Sequence, residues 1–256
     1  MNNVLLTGGT GFLGSHLVQR LSEDPNVTNI VVPTTNGSSL NSLDVLPLAG
    51  EKLQVFSGDI RNLNFIKNIF RKYEFDTVFH LGAMSEVGRC RNNPLEAYET
   101  NVIGTVNVLE AAREGAAIKA VLVSSSYRVY GNGRLPHAEH HPLRDMGIYE
   151  SSKASVDLIA RSYYHSYGLP VAVTRCANLY GGADLKFSRI VPNTIKLVLE
   201  GHSPVVWSGA RDLMREFLYI DDAVDAYLCL VENIDMAVGE AYNIGSGERI
   251  TIEELV

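Results

Sequence analysis

The sequence predicts an α/β fold built on a doubly wound parallel sheet. Short apolar runs alternate with segments whose apolar residues recur every three or four positions, which is the pattern of consecutive βαβ units. A glycine-rich run joins the first expected strand to the first expected helix. The 256 residues suffice for one large domain or for one domain with a small companion. A content of 46% hydrophobic and 20% charged residues is typical of a globular protein.

Each expected element follows from its local pattern. Apolar runs bounded by glycine, proline or polar residues predict strands, at 4–6, 30–32, 53–56, 77–81, 120–123 and 171–173. Apolar residues at helical spacing predict helices, at 12–21, 65–70 and 149–167. A further long helix is expected to start at Pro94, and Val102, Val106, Leu109 and Ala112 can share one of its faces.

Composition and charge argue against several classes of protein. The 22 basic and 29 acidic side chains give a formal charge of -7, whereas nucleic-acid binders carry a basic excess. No apolar run approaches the roughly 18–20 residues of a membrane-spanning helix, and the N-terminal residues lack the pattern of a signal peptide. Cys90, Cys176 and Cys229 are scattered, as is typical of free thiols in a reducing compartment. We therefore expect a cytoplasmic protein with no nucleic-acid and no membrane partner.

The run from Thr7 to Gly14 predicts a dinucleotide site. Its glycines at 8, 11 and 14 directly follow the first strand and lead into the first helix. Glycine permits a tight turn, lets backbone N–H groups approach a pyrophosphate and allows a helix to pack closely on a strand. The alternative, a turn with a purely structural role, is weaker in this strand–loop–helix context.

The end of the second strand bears on the type of cofactor. An acidic side chain there would bind the ribose 2′-hydroxyl of NAD, but the sequence continues with Pro33, Thr34, Thr35 and Asn36. The missing acid removes repulsion against a 2′-phosphate, and the Thr34 hydroxyl can donate a hydrogen bond to it. This segment also has no arginine that would bind the phosphate. We therefore expect NAD or NADP, with a slight preference for NADP.

Tyr149 and Lys153 form a Y-x-x-x-K pattern on an expected helix. This spacing places the phenol and the ammonium on one face, about 5–6 Å apart at Cβ. A neighbouring cation lowers a phenol pKa that starts near ~10, so Tyr149 can remove a proton from a substrate hydroxyl while hydride leaves the same carbon. Ser124, Ser125 and Ser126 end the fifth strand, and one of them beside Tyr149 would hydrogen-bond the reacting oxygen. The alternatives are that Tyr149 and Lys153 form an incidental surface pair and that the serines only cap the end of the strand.

Together these motifs resemble the extended short-chain dehydrogenase/reductases, in particular the NAD-dependent epimerase/dehydratase family that acts on nucleotide sugars. The resemblance covers nearly the whole chain and implies a Rossmann-type sheet with a small C-terminal substrate-binding lobe. It implies an NAD(P)-binding Rossmann domain over 1–179 and 217–245, and a partial nucleotide-sugar-binding lobe over 180–216 and 246–256. Family members continue well past the N-I-G-S-G segment at 243–247, so we expect the lobe in this sequence to be truncated.

The resemblance also assigns cofactor and catalytic positions. The segments that match family patterns are 7–14 (TGxxGxxG), 58–61 (glycine and an acid that contacts adenine), 80–83 (H-L-A-A), 101–105 (N-x-x-G-T) and 129–131 (V-Y-G). Counting back from V-Y-G, Ser126 matches the catalytic serine or threonine that acts with Tyr149 and Lys153. The implied cofactor-binding residues are Gly8, Gly11, Phe12, Leu13, Gly14, Thr34, Asp59, Ile60, Leu81, Gly82, Ala83, Asn101, Ser124, Tyr149, Lys153 and Cys176.

The implied substrate site lies in the second half of the chain and in one loop of the first half. Asn178 belongs to an R-x-x-N-x-Y-G pattern whose asparagine contacts the substrate. Arg215 begins a segment similar to R-D-F-x-Y-V-D-D, whose arginine reaches the diphosphate; the alternative is a solvated arginine beside acids. Arg189 is a second candidate for the same anion. The implied substrate-binding residues are Ser85, Glu86, Ser126, Asn178, Arg189, Val191 and Arg215.

The two residues after Ser126 bear on the type of reaction. The 4,6-dehydratases of the family carry Asp-Glu or Asp-Lys there, whereas this sequence has Tyr127 and Arg128. A phenol is a poor substitute for an aspartic acid that protonates a leaving hydroxyl, because its pKa is roughly six units higher. We therefore favour an epimerase that forms a transient 4-keto sugar and returns the hydride. A 4,6-dehydratase, a sugar reductase and a non-catalytic cofactor-sensing module stay open as alternatives, the first because Arg128 keeps the basic character of the Asp-Lys pair.

Two further expectations concern metals and oligomers. His137, His140 and His141 lie in a segment similar to the polar P-x-x-E-x-x-P loop of the family, so we expect no metal site. Relatives dimerise through a four-helix bundle that includes the Y-x-x-x-K helix. We therefore expect a homodimer, with the tyrosines at 163, 164 and 167 in packing or dimer contacts.

Overall fold

The structure, a computed structural model, describes residues 1–35, 41–131, 135–144, 146–206 and 208–256. Asn36 and most of the polar loop after the second strand lie outside the described residues. The strands in chain order are β1 (Asn3–Thr7), β2 (Asn29–Thr34), β3 (Leu53–Ser57), β4 (Thr77–His80), β5 (Ala120–Ser124), β6 (Val171–Cys176), β7 (Asn178–Tyr180), β8 (Met214–Arg215), β9 (Phe217–Tyr219), β10 (Ala241–Ile244) and β11 (Ile250–Thr251).

The helices cover both faces of the main sheet. In chain order they are α1 (Phe12–Glu23), α2 (Leu63–Lys72), α3 (Val87–Asn92), α4 (Pro94–Tyr98), α5 (Gly104–Glu114), α6 (Ile148–Tyr167), α7 (Ile190–Leu199), α8 (Ile220–Glu232), α9 (Ile234–Ala237) and α10 (Ile252–Leu255). Within the described ranges, no helix combines the length and apolar character that a membrane span requires.

The main sheet confirms the predicted doubly wound Rossmann-type fold. Within the described residues it has seven parallel strands in the order β3–β2–β1–β4–β5–β6–β10. Side chains alternate between two cores along each strand: Val4 and Leu6 pack on the side of α1 and α8, whereas Leu5 packs on the side of α2, α5 and α6. Strands buried on both faces read as continuous apolar runs, which explains why the sequence pattern located them.

The helix expected to continue from Pro94 is interrupted. A π-helical turn, Glu99–Ile103, separates α4 from α5. Its wider i→i+5 pattern rotates the residues that precede α5 relative to an uninterrupted α-helix. Of the face that the spacing predicted, Leu109 and Ala112 are fully buried, but Val102 and Val106 are only partly buried. The predicted face is therefore fully buried in the middle of α5 and only partly buried at Val102, in the π-helical turn, and at Val106, in the first turn of α5.

The two segments expected to form a substrate lobe meet in a small antiparallel sheet. Strands β8 and β11 pair with Arg215 opposite Ile250, and β7 pairs in parallel with β9. A capping box starts α10, since Thr251 Oγ1 accepts a hydrogen bond from the Glu254 N–H at 3.2 Å and Glu254 Oε2 accepts one from the Thr251 N–H at 2.9 Å. The division into two domains stays a prediction.

A buried ion pair joins β6 to α6. Arg175 on β6 donates to Asp157 on α6 at 2.7 and 3.0 Å, and the side chains of both residues are at most 2% exposed. The same guanidinium donates to the Tyr130 hydroxyl at 2.6 Å and to the Glu139 carbonyl at 2.8 Å. Tyr130 in turn donates to Asn243 Oδ1 on β10 at 2.7 Å. The sequence-based reading placed Arg175 at the start of a substrate motif, whereas the structure makes it a cross-link between elements.

We expect Arg175→Met to lower the free energy of unfolding by about 3 kcal/mol, at the low end of the cost of breaking a buried ion pair, because the buried Asp157 carboxylate keeps Arg161 at 2.9 Å as a charged partner. The matched control is Arg20→Met, which removes an exposed pair with Asp225 and should cost at most about 1 kcal/mol. Urea unfolding of both variants measures the difference. Equal losses would show that the buried pair contributes no more than a surface pair.

Candidate active site

The glycine-rich turn brings the backbone of α1 unusually close to the ends of β1 and β4. Gly8 has a φ of +75°, and a Cβ atom there would lie 2.8 Å from the Gly82 nitrogen. A Cβ atom on Gly14 would lie 2.2 Å from the Gly8 carbonyl oxygen. The N-cap of α1, Gly11, makes no side-chain cap, so backbone N–H groups of the first turn face this cradle. Such a cradle without side chains fits a pyrophosphate, which the N-terminal end of a helix attracts.

Other expected cofactor residues lie at the same edge of the sheet. Phe12 and Leu13 form the first turn of α1, and Leu81, Gly82 and Ala83 follow β4. The Gly82 N–H donates to Thr7 Oγ1 at 3.0 Å. A Cβ atom on Gly82 would lie 3.4 Å from the Ile60 side chain, so Ile60 lines the same region. The structure therefore brings these predicted residues together.

The remaining cofactor candidates are held by contacts of their own. Thr34 Oγ1 is 3.4 Å from Thr10 Oγ1 at the end of β2. The Asp59 carboxylate accepts hydrogen bonds from the Arg61 guanidinium at 2.6 and 2.8 Å, and this contact lowers the pKa of Asp59. Cys176 ends β6, and burial raises the pKa of its thiol to about 12. Cys176 is therefore a neutral thiol at neutral pH. The contact of Asp59 with adenine stays a prediction.

Asn101 ties the loop after β4 to the helix that carries Tyr149. Its Oδ1 accepts from the Met84 N–H at 2.7 Å, and its Nδ2 donates to the Met84 carbonyl at 3.2 Å and to Ser152 Oγ at 2.8 Å. The side chain is 1% exposed and sits in the π-helical turn. This bonding agrees with a backbone-supporting asparagine; a direct cofactor contact stays a prediction.

The catalytic candidates converge where β5 ends and α6 begins. Tyr149 and Lys153 are 8% and 5% exposed, on one side of α6. Lys153 Nζ donates to the Ser124 carbonyl at 2.7 Å, and Ser125 Oγ donates to the Lys153 carbonyl at 3.0 Å. Ser126 is near enough to Tyr149 to favour the ionised phenol, and Ser126 Oγ accepts a hydrogen bond from the Arg128 N–H at 3.2 Å. The catalytic role that the V-Y-G count implied for Ser126 stays a prediction.

Burial dominates the electrostatics of this cluster. It raises the pKa of Tyr149 to about 12, against the opposing effects of the Ser126 hydrogen bond and the Arg128 charge. Burial likewise lowers the pKa of Lys153 to about 8. The expected lowering of the Tyr149 pKa below 10 is therefore wrong for the protein by itself, because the loss of hydration outweighs the nearby positive charges.

An ion pair that the sequence did not indicate lies beside Tyr149. The Arg128 Nε and Nη2 atoms are both 2.6 Å from Glu150 Oε1, and the Glu150 side chain is only 3% exposed. A glutamate in the first turn of a helix is ordinarily exposed to solvent, so the local sequence did not indicate that Glu150 is buried and paired with Arg128. Tyr127, the other residue at the dehydratase positions, accepts a hydrogen bond from Asn178 Nδ2 at 3.1 Å.

The substrate candidates come from the loop after β4 and from elements in the second half of the chain. Ser85 is exposed, and Glu86 pairs with Lys186 from the loop after β7 at 2.8 Å, which lowers the pKa of Glu86. A substrate contact of Ser85 or Glu86 stays a prediction. Asn178 also donates to the Glu216 carbonyl at 3.0 Å, which holds its amide next to Tyr127.

The two arginine candidates for the diphosphate differ in their surroundings. Arg189 pairs with Asp184 at 3.0 Å and lies 5.8 Å from the Phe12 ring, close to the start of α1. Val191 lines a neighbouring cavity of about 400 Å³. Arg215 Nη1 donates to the Met214 carbonyl at 2.8 Å within β8. Arg189 is therefore the arginine with a contact to an expected cofactor residue.

The histidines of the loop before α6 make contacts with aromatic and imidazole rings. His137 stacks on Tyr130 with ring centroids 4.6 Å apart, and His140 meets His141 edge-on. In the part of the chain that the structure describes, no three histidine, cysteine or acidic side chains come together as a metal site would require.

His80 is a buried link behind the glycine-rich turn. One ring nitrogen is 2.7 Å from Thr7 Oγ1 and the other is 2.8 Å from Thr105 Oγ1. Burial, with a smaller effect of Lys153, lowers the pKa of His80 from 6.5 to about 3. The folded protein therefore keeps a neutral imidazole where an unfolded chain would bind a proton.

Comparison with known proteins finds a matching sequence family and several similar chains. The sequence model described as "NAD dependent epimerase/dehydratase family" matches residues 4–245. A dTDP-glucose 4,6-dehydratase of Haemophilus influenzae is 33% identical over 100% of this chain and 78% of its own length. UDP-glucose 4-epimerase of Thermotoga maritima with UDP-glucose superposes with a TM-score of 0.88 at 27% identity, over 99% of this chain and 80% of that one. A dTDP-glucose 4,6-dehydratase of Bacillus anthracis in complex with NAD gives a TM-score of 0.86 at 30% identity, over 100% and 79%.

The curated relatives are longer than this chain. The chain spans 60% of the length of the dTDP-D-glucose 4,6-dehydratase of Dictyostelium discoideum, which is 29% identical, and 79% of a putative UDP-glucose 4-epimerase of Methanocaldococcus jannaschii, which is 31% identical.

We expect the stability of the protein to fall in mild acid through His80. Above about pH 6.5 the imidazole is neutral in both states, so its contribution is fully present; between 6.5 and about 3 only the unfolded chain binds the proton. The free energy of unfolding then falls by about 1.4 kcal/mol for each pH unit. His80→Gln removes this dependence.

Urea unfolding of the wild type and His80→Gln at pH 7.5, 6.0 and 5.0 measures the two slopes. The carboxylates contribute equally to both proteins, so the difference isolates the histidine. Parallel pH dependences would contradict the prediction.

Proposed function

This chain belongs to the NAD-dependent epimerase/dehydratase family, and we propose that it is an NAD(P)-dependent nucleotide-sugar epimerase that acts through a transient 4-keto sugar. The observation that carries the choice of epimerase is the pair of residues that follows Ser126. Arg128 is ion-paired with a buried carboxylate, and a guanidinium does not give up its proton in proteins. It is therefore not a base that could remove the proton next to the keto group, as elimination of water requires. Tyr127 is a weak acid for protonating a leaving hydroxyl.

The cofactor site supports NAD(P) as the hydride carrier. The missing Cβ atoms of Gly8 and Gly14 let the start of α1 pack directly against the ends of β1 and β4, which places a helix N-terminus where a pyrophosphate would bind. A nicotinamide cofactor held at Gly8, Gly14 and the first turn of α1 would supply the hydride acceptor and donor for the reaction. No residue from 29 to 43 is acidic or basic. Because no carboxylate of this segment would repel a 2′-phosphate, the sequence favours NADP over NAD.

In this mechanism the side chains of the cluster move and hold the proton. Tyr149 removes the proton from the sugar hydroxyl at the carbon that loses the hydride. It returns the proton after the keto sugar has rotated to present its opposite face. Ser126, whose proximity favours the ionised form of Tyr149, hydrogen-bonds the same oxygen. Asn178, at the start of β7 and in contact with Tyr127, binds the sugar, and Arg189, at the N-terminal end of α7 and near Phe12, binds the diphosphate.

We expect Tyr149→Phe to lower kcat by about 10²–10⁴-fold, because it removes the group that transfers the proton. The dissociation constant of the cofactor should change little, since the glycine-rich cradle is untouched. Tyr167→Phe, an exposed tyrosine of the same helix, is the control and should keep full activity. Unchanged turnover in Tyr149→Phe would overturn the mechanism, and a non-catalytic sensing module would show no turnover in any variant.

The reaction itself is tested by incubating the protein with NDP-hexoses and either NAD⁺ or NADP⁺, followed by NMR of the sugar. We expect a stereoisomer with no net change in oxidation state, and faster turnover with NADP⁺. A 4-keto-6-deoxy sugar would instead establish the 4,6-dehydratase, which is the activity named for the relatives at 33% and 30% identity. A clear preference for NAD⁺ would contradict the NADP assignment.

A further inference from the structure

A chain of three hydroxyl groups runs through the core and ends at Ser124. Thr174 Oγ1 on β6 lies 2.6 Å from the Tyr227 hydroxyl on α8, and that hydroxyl donates to Ser124 Oγ at 3.2 Å. Thr174 and Tyr227 have no exposed surface, whereas Ser124 is partly exposed at the end of β5. Burial of a polar group is costly unless it is hydrogen-bonded, so the fold holds the Tyr227 phenol by specific contacts.

Tyr227 reaches Ser124 from the face of the sheet opposite Lys153. Its side chain belongs to the core cluster that contains Leu122 and Ala172, on the side of α8, whereas Lys153 lies on α6. Ser124 stands between the two layers, because its hydroxyl accepts from Tyr227 and its carbonyl accepts from Lys153 Nζ at 2.7 Å. The ammonium of a lysine that is only 5% exposed is therefore anchored on the residue that Tyr227 holds.

One arrangement of hydrogens satisfies both buried hydroxyls of this chain. Burial raises the pKa of Tyr227, so its phenol is neutral and has a single hydrogen. When Tyr227 donates to Ser124, its oxygen accepts the hydrogen of Thr174. In the reverse arrangement the Thr174 hydrogen has no acceptor among the contacts of the described residues. The chain therefore donates in the direction from Thr174 through Tyr227 to Ser124.

This direction leaves the Ser124 hydrogen available for a partner outside the chain of hydroxyls. The Ser125 carbonyl, at 3.5 Å, is at the limit of a hydrogen bond. Ser124 ends β5 at the edge of the sheet where the glycine-rich turn and the loop after β4 also lie, because parallel strands end at a common edge. A fixed serine hydroxyl with a free hydrogen, beside the Lys153 ammonium, is suited to donate to an oxygen of a ligand.

We propose that Tyr227 is a positioning residue of the cofactor site: its hydroxyl fixes the Ser124 side chain so that the Ser124 hydroxyl donates to an oxygen of the nicotinamide nucleoside of NAD(P). This inference rests on the proposed cofactor site and not on the type of reaction, so it applies equally to an epimerase and to a 4,6-dehydratase. The contrasting role for Tyr227 is a purely structural one, in which the phenol only satisfies Thr174 in the core.

The variants separate positioning from structure. Tyr227→Phe keeps the ring in the core and removes the donor to Ser124, but it also leaves the Thr174 hydroxyl without its acceptor, which lowers stability. Combining it with Thr174→Val removes both hydroxyls at nearly constant volume, so this double variant should unfold close to the wild-type urea concentration. Ser124→Ala removes the group that Tyr227 holds. Tyr242→Phe, which loses a hydrogen bond to the Met236 carbonyl at the surface, is the control.

Isothermal titration calorimetry with NADP⁺ and with NAD⁺ measures the dissociation constant for each variant. We expect about 3–10-fold weaker binding in Ser124→Ala, the effect of one neutral hydrogen bond, and a comparable loss in Tyr227→Phe. Because Tyr227 acts through Ser124, the Ser124→Ala/Tyr227→Phe variant should bind no more weakly than Ser124→Ala. The Thr174→Val/Tyr227→Phe variant should recover stability but not affinity. Tyr242→Phe should bind like the wild type.

Urea unfolding of the same samples provides the stability readout. Recovery of affinity together with stability in Thr174→Val/Tyr227→Phe would overturn the inference, because the phenol would then act only as a partner of Thr174. Losses that multiply in Ser124→Ala/Tyr227→Phe would overturn it as well. A wild type that binds neither cofactor would reject the cofactor site and this inference with it. The expected pattern of affinities without turnover of NDP-hexoses would support the role of Tyr227 and reject the proposed reaction alone.

Discussion

The buried contact between Arg175 and Asp157 is the constraint on which the arrangement of the site depends. The Asp157 carboxylate has no exposure, and its charge is met by Arg175 on β6 and by Arg161 on its own helix. Arg175 also donates to Tyr130 and to the Glu139 carbonyl, so it joins a strand, a helix, the 3₁₀ turn Tyr127–Tyr130 and a loop. A shift of α6 along β6 would separate Arg175 from Asp157 and leave the buried guanidinium without its carboxylate.

The site is made of two parts with different physics. The cofactor half is a backbone surface, in which the absence of Cβ atoms at Gly8 and Gly14 lets α1 approach the ends of β1 and β4. The catalytic half is made of buried polar side chains. Asn101 connects the halves, because its amide holds both the Met84 backbone after β4 and Ser152 on α6. A displacement of one half relative to the other would therefore break hydrogen bonds of Asn101.

Burial disfavours the charged forms of the side chains in the catalytic half. It favours a neutral phenol at Tyr149 and weakens the ammonium form of Lys153, so the ionised states needed for proton transfer are stabilised by specific neighbours alone. Ser126 and Arg128 are such neighbours in the protein itself. A site in which small changes of charge shift protonation strongly is typical of acid–base catalysis, and it explains why residues outside the Tyr149–Lys153 pair matter.

Local pattern was enough to predict six of the seven strands described in the main sheet, the glycine-rich turn and the tyrosine–lysine spacing, because each depends on residues a few positions apart. Ser126 was assigned by resemblance to a family motif, and its role stays a prediction. Tertiary structure alone decided the π-helical turn that buries Asn101 and the raised pKa of Tyr149, since both follow from packing. It also decided the ion pairs, which join residues 18 positions apart for Arg175–Asp157, 22 for Arg128–Glu150 and 100 for Glu86–Lys186. Helix and strand periods carry no information over such separations, and only the folded chain brings those charges together.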